Sequence, residues 1–464
     1  MNNNKINLVY IFAISIASAF GGLLFGYDWV VIGGAKPFYE SFFNISNAPF
    51  LQGWAMSSAL IGCLAGAWLS GILSDKYGRK KLLLLAAGLF IIASIGTGAA
   101  NNFTLFIIYR MLGGIGIGLA SNLSPMYIAE VSPSKVRGQF VSLNQLTIVI
   151  GILAAQLINW HIAEPVAAGA SPTDILNTWN GQEGWRWMFW ACAVPAILFF
   201  VFVLFIPESP RWLVSKGRTD KAFNIMKRIT GEEVARLELN EIQHTIHNDE
   251  AGISFGSLFK NGAGRIMLLG IVLAVFQQWC GINVIFNYAQ EVFSAAGYSV
   301  NDILFNIVIT GSVNLIFTFV AIYTVDKLGR RALMLIGAGG LAGIYAVMGT
   351  LYFFHIHGLP LLILVLLAIA CYSMSLAPVT WVVLSEIFPN KIRGAAMSVA
   401  TIGLWAACFL LTYTFPLLNS ALGASGTFWL YGIICVSGFI FIFKKLPETK
   451  GKSLEEIEHQ LLKK

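Results

Sequence analysis

Charged residues are scarce in this sequence. Asp, Glu, Lys and Arg together make up 11% of the 464 residues, whereas a typical soluble domain contains about 25%. Hydrophobic residues make up 57%. This composition excludes an ordinary soluble domain and indicates a membrane protein.

Residues that bind metals or form disulfides are also scarce. The six cysteines all lie in apolar runs and form no Cys-x-x-Cys motif, so they are interpreted as small packing residues. The sequence has no cluster of metal ligands, no phosphate-binding loop and no Ser/His/Asp set, so it does not favour a membrane enzyme and predicts no cofactor and no metal. The first apolar run contains Asp28 and is followed by no cleavage site, so no cleavable signal peptide is predicted.

Long apolar runs make up most of the chain. Twelve of them come close to the ~20 residues that a helix needs to cross a bilayer, and they lack the period-two alternation of a membrane β-barrel. Because hydrocarbon offers no partner for unpaired backbone groups, the spans must be helical. We therefore predict an all-α membrane protein with spans at 8–32, 51–73, 82–100, 104–126, 140–162, 187–206, 265–293, 304–325, 333–354, 361–384, 395–418 and 427–443.

The net charge of +7 is explained by basic residues in the loops between spans. Basic residues fall on one set of alternate loops, so the charge indicates membrane topology and not nucleic-acid binding. The positive-inside rule places these loops and both termini in the cytoplasm of a multi-pass protein of the cell (inner) membrane. The opposite loops are predicted to carry Lys36, Glu40, Glu164, Asp174, Glu183 and Asp302.

Three charged motifs occur twice, in the same order. The segment around Asp75 returns around Asp326, Glu130-x6-Arg137 returns as Glu386-x6-Arg393, and Pro207-Glu208 returns as Pro447-Glu448. Two equivalent apolar halves are typical of transporters whose binding site lies between the halves. The predicted domains are a six-helix half at 1–206, a cytoplasmic helical linker at 207–262, a second six-helix half at 263–443 and a cytoplasmic tail at 444–464.

Each repeated motif places an acid and a base at the end of a span. We expect these charges to form a latch that holds spans together when the cytoplasmic side is closed and separates when that side opens. The alternative is that they are solvated charges that anchor helix ends. The predicted latch consists of Asp75, Arg79, Glu130, Arg137, Glu208, Asp326, Arg330, Glu386, Arg393 and Glu448.

Further segments complete the set of motifs. They include Gly71-x3-Asp75-x2-Gly78-Arg79, Arg110-x2-Gly113-x2-Gly116-x-Gly118, the PESPRWL segment at 207–213, Gln277-Gln278-x4-Asn283 and Pro447-Glu448-Thr449. Together they resemble the sugar-porter family of the major facilitator superfamily over essentially the whole chain. The resemblance implies twelve helices in two six-helix halves, and proton-driven or facilitative sugar transport by alternating access.

Several spans contain amide side chains, which are costly at bilayer depth and therefore indicate function. Amides both donate and accept hydrogen bonds, which suits the hydroxyls of a sugar, and tryptophan rings offer flat faces for a pyranose. The alternatives are hydrogen bonding between helices for the amides and lipid anchoring for the tryptophans. The resemblance points to the same positions and adds Phe25. The predicted substrate-binding set is Phe25, Gln145, Gln277, Gln278, Asn283, Asn314, Trp381 and Trp405.

Asp28 and Arg110 are predicted to couple a proton. Both lie inside spans, where a carboxylate paired with an arginine ionises readily and binds a proton once the pair separates. In the family that the sequence resembles, proton-coupled members carry an acid at this point, whereas facilitative animal members commonly carry an amide. The alternative is a static structural ion pair.

The choice of sugar stays open. The sequence departs from the most similar bacterial sugar symporters at Ile152, Asn287, Ala377, Leu404 and Cys408, and each departure removes or moves a hydrogen-bonding group. The leading hypothesis is a monosaccharide–proton symporter that acts as a monomer on a pentose such as xylose or a hexose such as glucose. The alternatives are a facilitative uniporter for a sugar or polyol, and a transporter-like sugar sensor.

Overall fold

A computed structural model gives the fold of residues 6–133, 136–167, 170–248, 263–388 and 393–450, without the side chains of residues 244–248, 263, 322, 326 and 393–395. Parts of three predictions lie outside the described residues. These are the linker at 249–262, the tail at 451–464 and the side chains of the latch residues Asp326 and Arg393.

The first half consists of five long helices and a sixth span that is interrupted. The long helices are α1 (Leu8–Phe42), α2 (Pro49–Tyr77), α3 (Arg79–Ala99), α4 (Phe103–Val131) and α5 (Arg137–Ile162). The short helix α6 (Pro172–Leu176) lies in the following loop. The sixth span then consists of a π-helical turn (Asn180–Gly184), α7 (Trp185–Ala191) and α8 (Ala193–Phe205).

Three amphipathic helices connect the halves: α9 (Pro210–Ser215), α10 (Thr219–Thr230) and α11 (Glu232–Asn248). They dock on the first half, since Trp212 donates a hydrogen bond to the carbonyl of Asp75 at 3.0 Å. The backbone N–H of Asn7, just before α1, donates to the carbonyl of Ile229 at 2.9 Å. These contacts define the side of the molecule that is termed the linker side; the opposite side is termed the far side.

The second half repeats this plan with more breaks. Its helices are α12 (Ala263–Trp279), α13 (Ile282–Asn287), α14 (Ala289–Ala295), α15 (Val300–Leu328), α16 (Arg330–Phe353), α17 (Leu359–Met374), α18 (Leu376–Ile387) and α19 (Arg393–Lys445).

The span count agrees with the sequence prediction once α19 is divided. The described residues form eleven stretches of helix that are long and apolar enough to cross a membrane. The last of them contains two predicted spans, because Gly423 interrupts α19 with a φ of 68° and a ψ of 175°. The predicted all-α membrane fold is confirmed.

The end of the first span was predicted wrongly. The sequence placed Lys36 and Glu40 in a loop after residue 32, but α1 continues to Phe42 and both side chains are buried. One turn apart on the helix, they form an ion pair with 2.8 Å between Lys36 Nζ and Glu40 Oε1. Because each charge has a partner one turn away, both side chains can be buried on the continuing helix.

Two spans of the second half are broken near their middle. The predicted span at 265–293 breaks at Gly281, whose φ of +86° is in the left-handed region that favours glycine. The predicted span at 361–384 breaks at Ser375 between α17 and α18. A glycine inside the apolar run is the sequence signal for the first break, whereas the break at Ser375 was not predicted.

Glycines allow α2 and α4 to pack closely. Gly62 and Gly66 of α2 face Gly114 and Gly118 of α4, and a Cβ atom at Gly114 would overlap the carbonyl oxygen of Ala59. Small residues at such crossings let the two backbones approach each other, which replaces the hydrophobic driving force that hydrocarbon cannot supply.

We expect the substitution Gly114→Ala to lower the thermal stability of the purified protein in detergent. The added methyl group must push α2 away from α4, which costs roughly 1–3 kcal/mol for an overpacked contact. Gly88→Ala on α3 is the matched control, because a Cβ atom added there would meet nothing within 4 Å. That variant should melt at the same temperature as the native chain or slightly higher. Equal melting of the two variants would contradict the close packing of α2 on α4.

Candidate functional site

A buried ion pair lies in the middle of the first half. Asp28 of α1 and Arg110 of α4 are 5% and 3% exposed, and Arg110 Nη1 lies 2.8 Å from Asp28 Oδ1. The guanidinium also lies over the ring of Phe189, 5.7 Å from its centroid. Asp28 Oδ2 is buried without a hydrogen-bond partner, so one carboxylate oxygen is available to another ligand.

A small cavity adjoins this pair at the interface between the halves. Its volume is about 10 Å³, and its lining includes Asp28, Arg110 and Trp29 from the first half and Asn287 from the second. Such a cavity is at the lower limit for one water molecule, so this cavity does not itself hold a monosaccharide. Both halves therefore contact the space beside the ion pair.

Three of the predicted amides form a chain of hydrogen bonds around the break at Gly281. Gln277 donates to the carbonyl of Ala377 at 3.3 Å, and Gln278 donates to Gln277 Oε1 at 3.1 Å. Asn283, beyond the break, donates to Gln278. All three amides are buried, so the sequence spacing does bring them together.

The remaining predicted polar residues are less closely joined to that chain. Asn314 of α15 accepts a 2.6 Å hydrogen bond from Ser373 of α17, a residue that the sequence analysis did not single out. Gln145 and Trp381 are half-buried, and no described hydrogen bond or ring contact connects them to the other predicted residues. Their place in a binding site stays a prediction.

Three aromatic rings meet across the interface between the halves. Phe25 and Trp29 of α1 lie 5.7 Å and 6.1 Å, centroid to centroid, from Trp405 of α19, and 6.0 Å from each other. Trp405 is 4% exposed, and its Nε1 is buried without a hydrogen-bond partner. Trp29 was missed by the sequence analysis, although it lies one turn after Phe25 and directly follows Asp28.

Gln156 is a second residue that the sequence analysis missed. It is 3% exposed, its Oε1 has no hydrogen-bond partner, and it lies against Gly311 of α15 in the other half. It follows Gln145 by eleven residues, close to three helical turns, so both amides lie on nearly the same face of α5. That spacing was the available signal.

The repeated motif of the first half forms a cluster on the linker side. Arg79 pairs with Glu130 at 2.9 Å, and Glu130 also accepts a 2.5 Å hydrogen bond from the hydroxyl of Ser209. Glu208 accepts hydrogen bonds from the backbone N–H groups of Arg79 and Lys80 at 2.9 and 3.1 Å. These N–H groups belong to the first turn of α3, which has no partners for them within the helix.

The second half contains an equivalent cluster. Arg330 pairs with Glu386 at 3.1 Å. Glu448 accepts hydrogen bonds from the N–H groups of Arg330 and Arg331 at 2.9 and 3.1 Å, in the first turn of α16. Partial burial alone would raise the pKa of Glu448, but hydrogen bonds from the backbone N–H groups of Lys450, Arg330, Arg331 and Thr449 outweigh it and lower the pKa.

The latch residues whose side chains the structure describes therefore lie in two clusters, one in each half, and their opening and closing stays a prediction. Asp75 is largely exposed and lies 3.5 Å from Arg79, and Arg137 donates to the carbonyl of Ser132 at 3.4 Å. Arg79 pairs with Glu130 in the first half, and Arg330 pairs with Glu386 in the second. Each ion pair therefore joins residues of one half. Each arginine is the first residue of a helix that follows a tight turn at Gly78 or Gly329. Its side chain therefore contacts the neighbouring helix of the same half.

Polar contacts between the halves occur on the far side. Lys36 of α1 pairs with Glu291 of α14. The backbone N–H and carbonyl of Val166 bond to the side-chain amide of Asn301 at 3.0 and 3.1 Å. Both contacts cross from one half to the other, so the far side is the closed side.

Comparisons with known proteins agree with this architecture. A family model described as "Sugar (and other) transporter" matches residues 14–461. The D-xylose-proton symporter of Escherichia coli K12 is 40% identical over 98% of this chain and 96% of that protein. The glucose transport protein of a Synechocystis strain is 40% identical over 98% of each. The solved inward-open structure of the xylose transporter XylE from E. coli has a TM-score of 0.84 at 38% identity, covering 97% of this chain and 100% of that one. The chain belongs to the sugar (and other) transporter family, that is, to the sugar porters of the major facilitator superfamily that its motifs resemble.

Proposed function

We propose that this protein imports a monosaccharide together with a proton by alternating access. The observation that carries the proposal is the Asp28–Arg110 pair, buried at 2.8 Å beside a cavity that Asn287 of the other half also lines. A movement of one half against the other changes the surroundings of this pair directly. The xylose-proton symporter that is 40% identical to this chain supports the same activity.

Asp28 is the proton carrier in this mechanism. Arg110 pairs with Oδ1 of this carboxylate. When the halves move and the guanidinium withdraws, a proton replaces it, at an oxygen such as the unpartnered Oδ2. One charge crossing 100 mV is worth roughly 2.3 kcal/mol. One co-transported proton therefore supports an accumulation of about 50-fold.

The sugar binds between the amide chain and the aromatic rings. In the described state Gln277, Gln278 and Asn283 hydrogen-bond to one another and to the backbone, so binding requires these amides to exchange their partners for hydroxyls. The buried Nε1 of Trp405 adds a donor without a competing partner. The ring faces of Phe25 and Trp405 supply the apolar side of the pocket.

The described state corresponds to a transporter that is closed on the far side. Its inter-half contacts, Lys36 to Glu291 and Val166 to Asn301, lie on that side, and the solved structure with a TM-score of 0.84 is inward-open. We therefore assign the linker side and both termini to the cytoplasm of a bacterial inner membrane. The protein acts as a monomer in the bilayer, since one chain contains both halves of the site, and it is not an enzyme.

The two linker-side clusters act as braces within the halves. Arg79 with Glu130, and Arg330 with Glu386, connect the start of one helix to the end of another in the same half. Networks of this kind favour one arrangement of the joined helices over others. Each half then moves as a unit, and the motion is concentrated at the interface where Asp28 and the aromatic rings lie.

We expect Asp28→Asn to abolish accumulation while leaving equilibration in place. The measurement is uptake of xylose and of glucose into proteoliposomes with and without an imposed inward proton gradient. The native chain should exceed equilibrium only with the gradient, because the proton supplies the driving force. Asp220→Asn is the control, since Asp220 is an exposed carboxylate of α10 and should leave accumulation unchanged. Uphill uptake by the Asp28→Asn protein would exclude Asp28 as the proton carrier, and equilibration by the native chain in both conditions would identify a uniporter.

We expect Gln278→Ala to weaken sugar binding roughly tenfold, as the loss of about one hydrogen bond predicts. The measurement is the rise in melting temperature of the purified protein with increasing xylose, glucose, arabinose or sorbitol. Gln139→Ala is the control, because Gln139 is exposed at the start of α5 and should respond as the native chain does. The ligand that stabilises most identifies the substrate class, and an unaltered response of Gln278→Ala would remove this amide from the site.

We expect Glu448→Gln to lower the melting temperature at neutral pH, because the neutral amide caps α16 less strongly, at a cost of roughly 0.5–2 kcal/mol. Since the pKa of Glu448 is lowered in the folded chain, its contribution is present above the unfolded value of about 4.3 and is lost as the pH falls through the folded value. The difference between variant and native chain should therefore disappear in acid. Glu164→Gln, which removes an exposed far-side carboxylate, should show no such difference.

A further inference from the structure

Three charged residues form a largely buried cluster on the far side that the proposed mechanism does not use. Lys36 lies between Glu40 on its own helix, at 2.8 Å, and Glu291 on α14 of the other half. Lys36 and Glu40 are 2% and 5% exposed, and the Glu291 side chain is 25% exposed. Gln52 donates a 3.1 Å hydrogen bond to the second oxygen of Glu40. This cluster of Lys36, Glu40 and Glu291 is termed the far-side gate, because it connects the halves where they are closed.

The far-side gate contains one more acid than base. Among the described residues, its neighbours do not balance this excess negative charge. The groups that face it from α1 and from the α13–α14 junction are the phenols of Tyr39 and Tyr288. Lys36 lies over the ring of Tyr288, 5.6 Å from its centroid. Tyr431 of α19 lies near Tyr288, and Arg110 of α4 near Tyr39.

Arg110 is committed to Asp28. Among the described residues, the ion pairs of Glu40 and Glu291 therefore come from Lys36, and full ionisation would leave one net negative charge in the closed gate.

A bound proton removes this excess charge. Burying a charge without its own partner is unfavourable, and a buried acid avoids the cost by becoming neutral. Glu291 Oε2 is buried and has no hydrogen-bond partner, so an O–H bond can form there without breaking a contact. When the halves separate on the far side, Glu291 leaves with its half, the excess negative charge is no longer enclosed, and the cluster releases the proton. Lys36 and Glu40 remain on α1 as a neutral pair.

We propose that the far-side gate is a second proton-binding site, which takes up one proton from the far side as it closes and returns it to that side as it opens. The proposal rests on the movement of the halves in the proposed function, but not on Asp28 or on the sugar. The proton is not carried across the membrane, so it adds nothing to the transport stoichiometry. Its effect is that acid on the far side favours closure. The other described far-side hydrogen-bonded link, between Val166 and Asn301, contains no titratable group.

The test measures far-side closure directly, without sugar. Spin labels on Asn47→Cys and Ser294→Cys report the distance between exposed positions of the two halves, in a Cys371→Ser background, because the other five cysteines are buried. In the native gate, the ratio of closed to open molecules should rise as the pH falls from about 8 to about 5, by up to about tenfold per pH unit for one proton. Glu291→Gln, which leaves Lys36 and Glu40 as a balanced pair, should make that ratio independent of pH.

Two further variants and one control complete the test. Glu40→Gln should also flatten the pH response, since it too leaves one acid and one base. Lys36→Met should steepen it, because two buried acids then need protons. Asp302→Asn removes an exposed far-side carboxylate at the start of α15 and should respond as the native chain does.

The same distances are measured in an Asp28→Asn background, so that the two proton sites are separated. A pH response that Asp28→Asn leaves in place and that Glu291→Gln or Glu40→Gln removes supports the gate. The proposal is overturned if both Gln variants keep the native response, if the native chain shows no response, or if Asp28→Asn alone abolishes it. Because no sugar is present, a failed uptake experiment would count against the proposed function and not against the gate.

Discussion

An unpaired charge is most costly where hydrocarbon surrounds the protein, and this constraint determines where the charged side chains of this chain lie. Asp28 is buried against Arg110, and Lys36 is buried between two carboxylates. Both groups occupy the interior at or near the interface of the halves, where a partner is within reach. A movement that separates such partners must provide water or a proton in exchange, which is how a change in shape becomes linked to the movement of ions.

The internal repeat explains how that movement stays ordered. In each half an arginine at the start of one helix pairs with a glutamate at the end of another, and both copies lie on the linker side. Most of the described ion pairs therefore join residues of the same half and stabilise that half. Polar contacts between the halves are fewer among the described residues and consist of amides and one ion pair, beside packed rings. A structure whose ion pairs lie mostly within the halves is suited to rocking about a central site.

Sequence reasoning succeeded where the physical signal is strong and local. Long apolar runs gave the spans, and a charge as rare as Asp28 inside a span pointed to its partner. It failed at Lys36 and Glu40, which were assigned to a loop because the ion pair between them was not considered. It also missed Trp29 and Gln156, whose burial depends on the opposite half. The closure of the far side could not be predicted either, because it is a property of one state among several that the same sequence adopts.

The carboxylates of Glu208 and Glu448 have a consequence for the synthesis of the protein. Each completes the first turn of a helix that was made more than a hundred residues earlier, α3 in one half and α16 in the other. Until the later residue leaves the ribosome, the N–H groups at those helix starts lack their acceptor. The smallest unit that can mature in the membrane is therefore a whole six-span half with the short segment after it. A chain shortened before Glu448 would therefore carry all twelve predicted spans and still lack the bond that completes the first turn of α16.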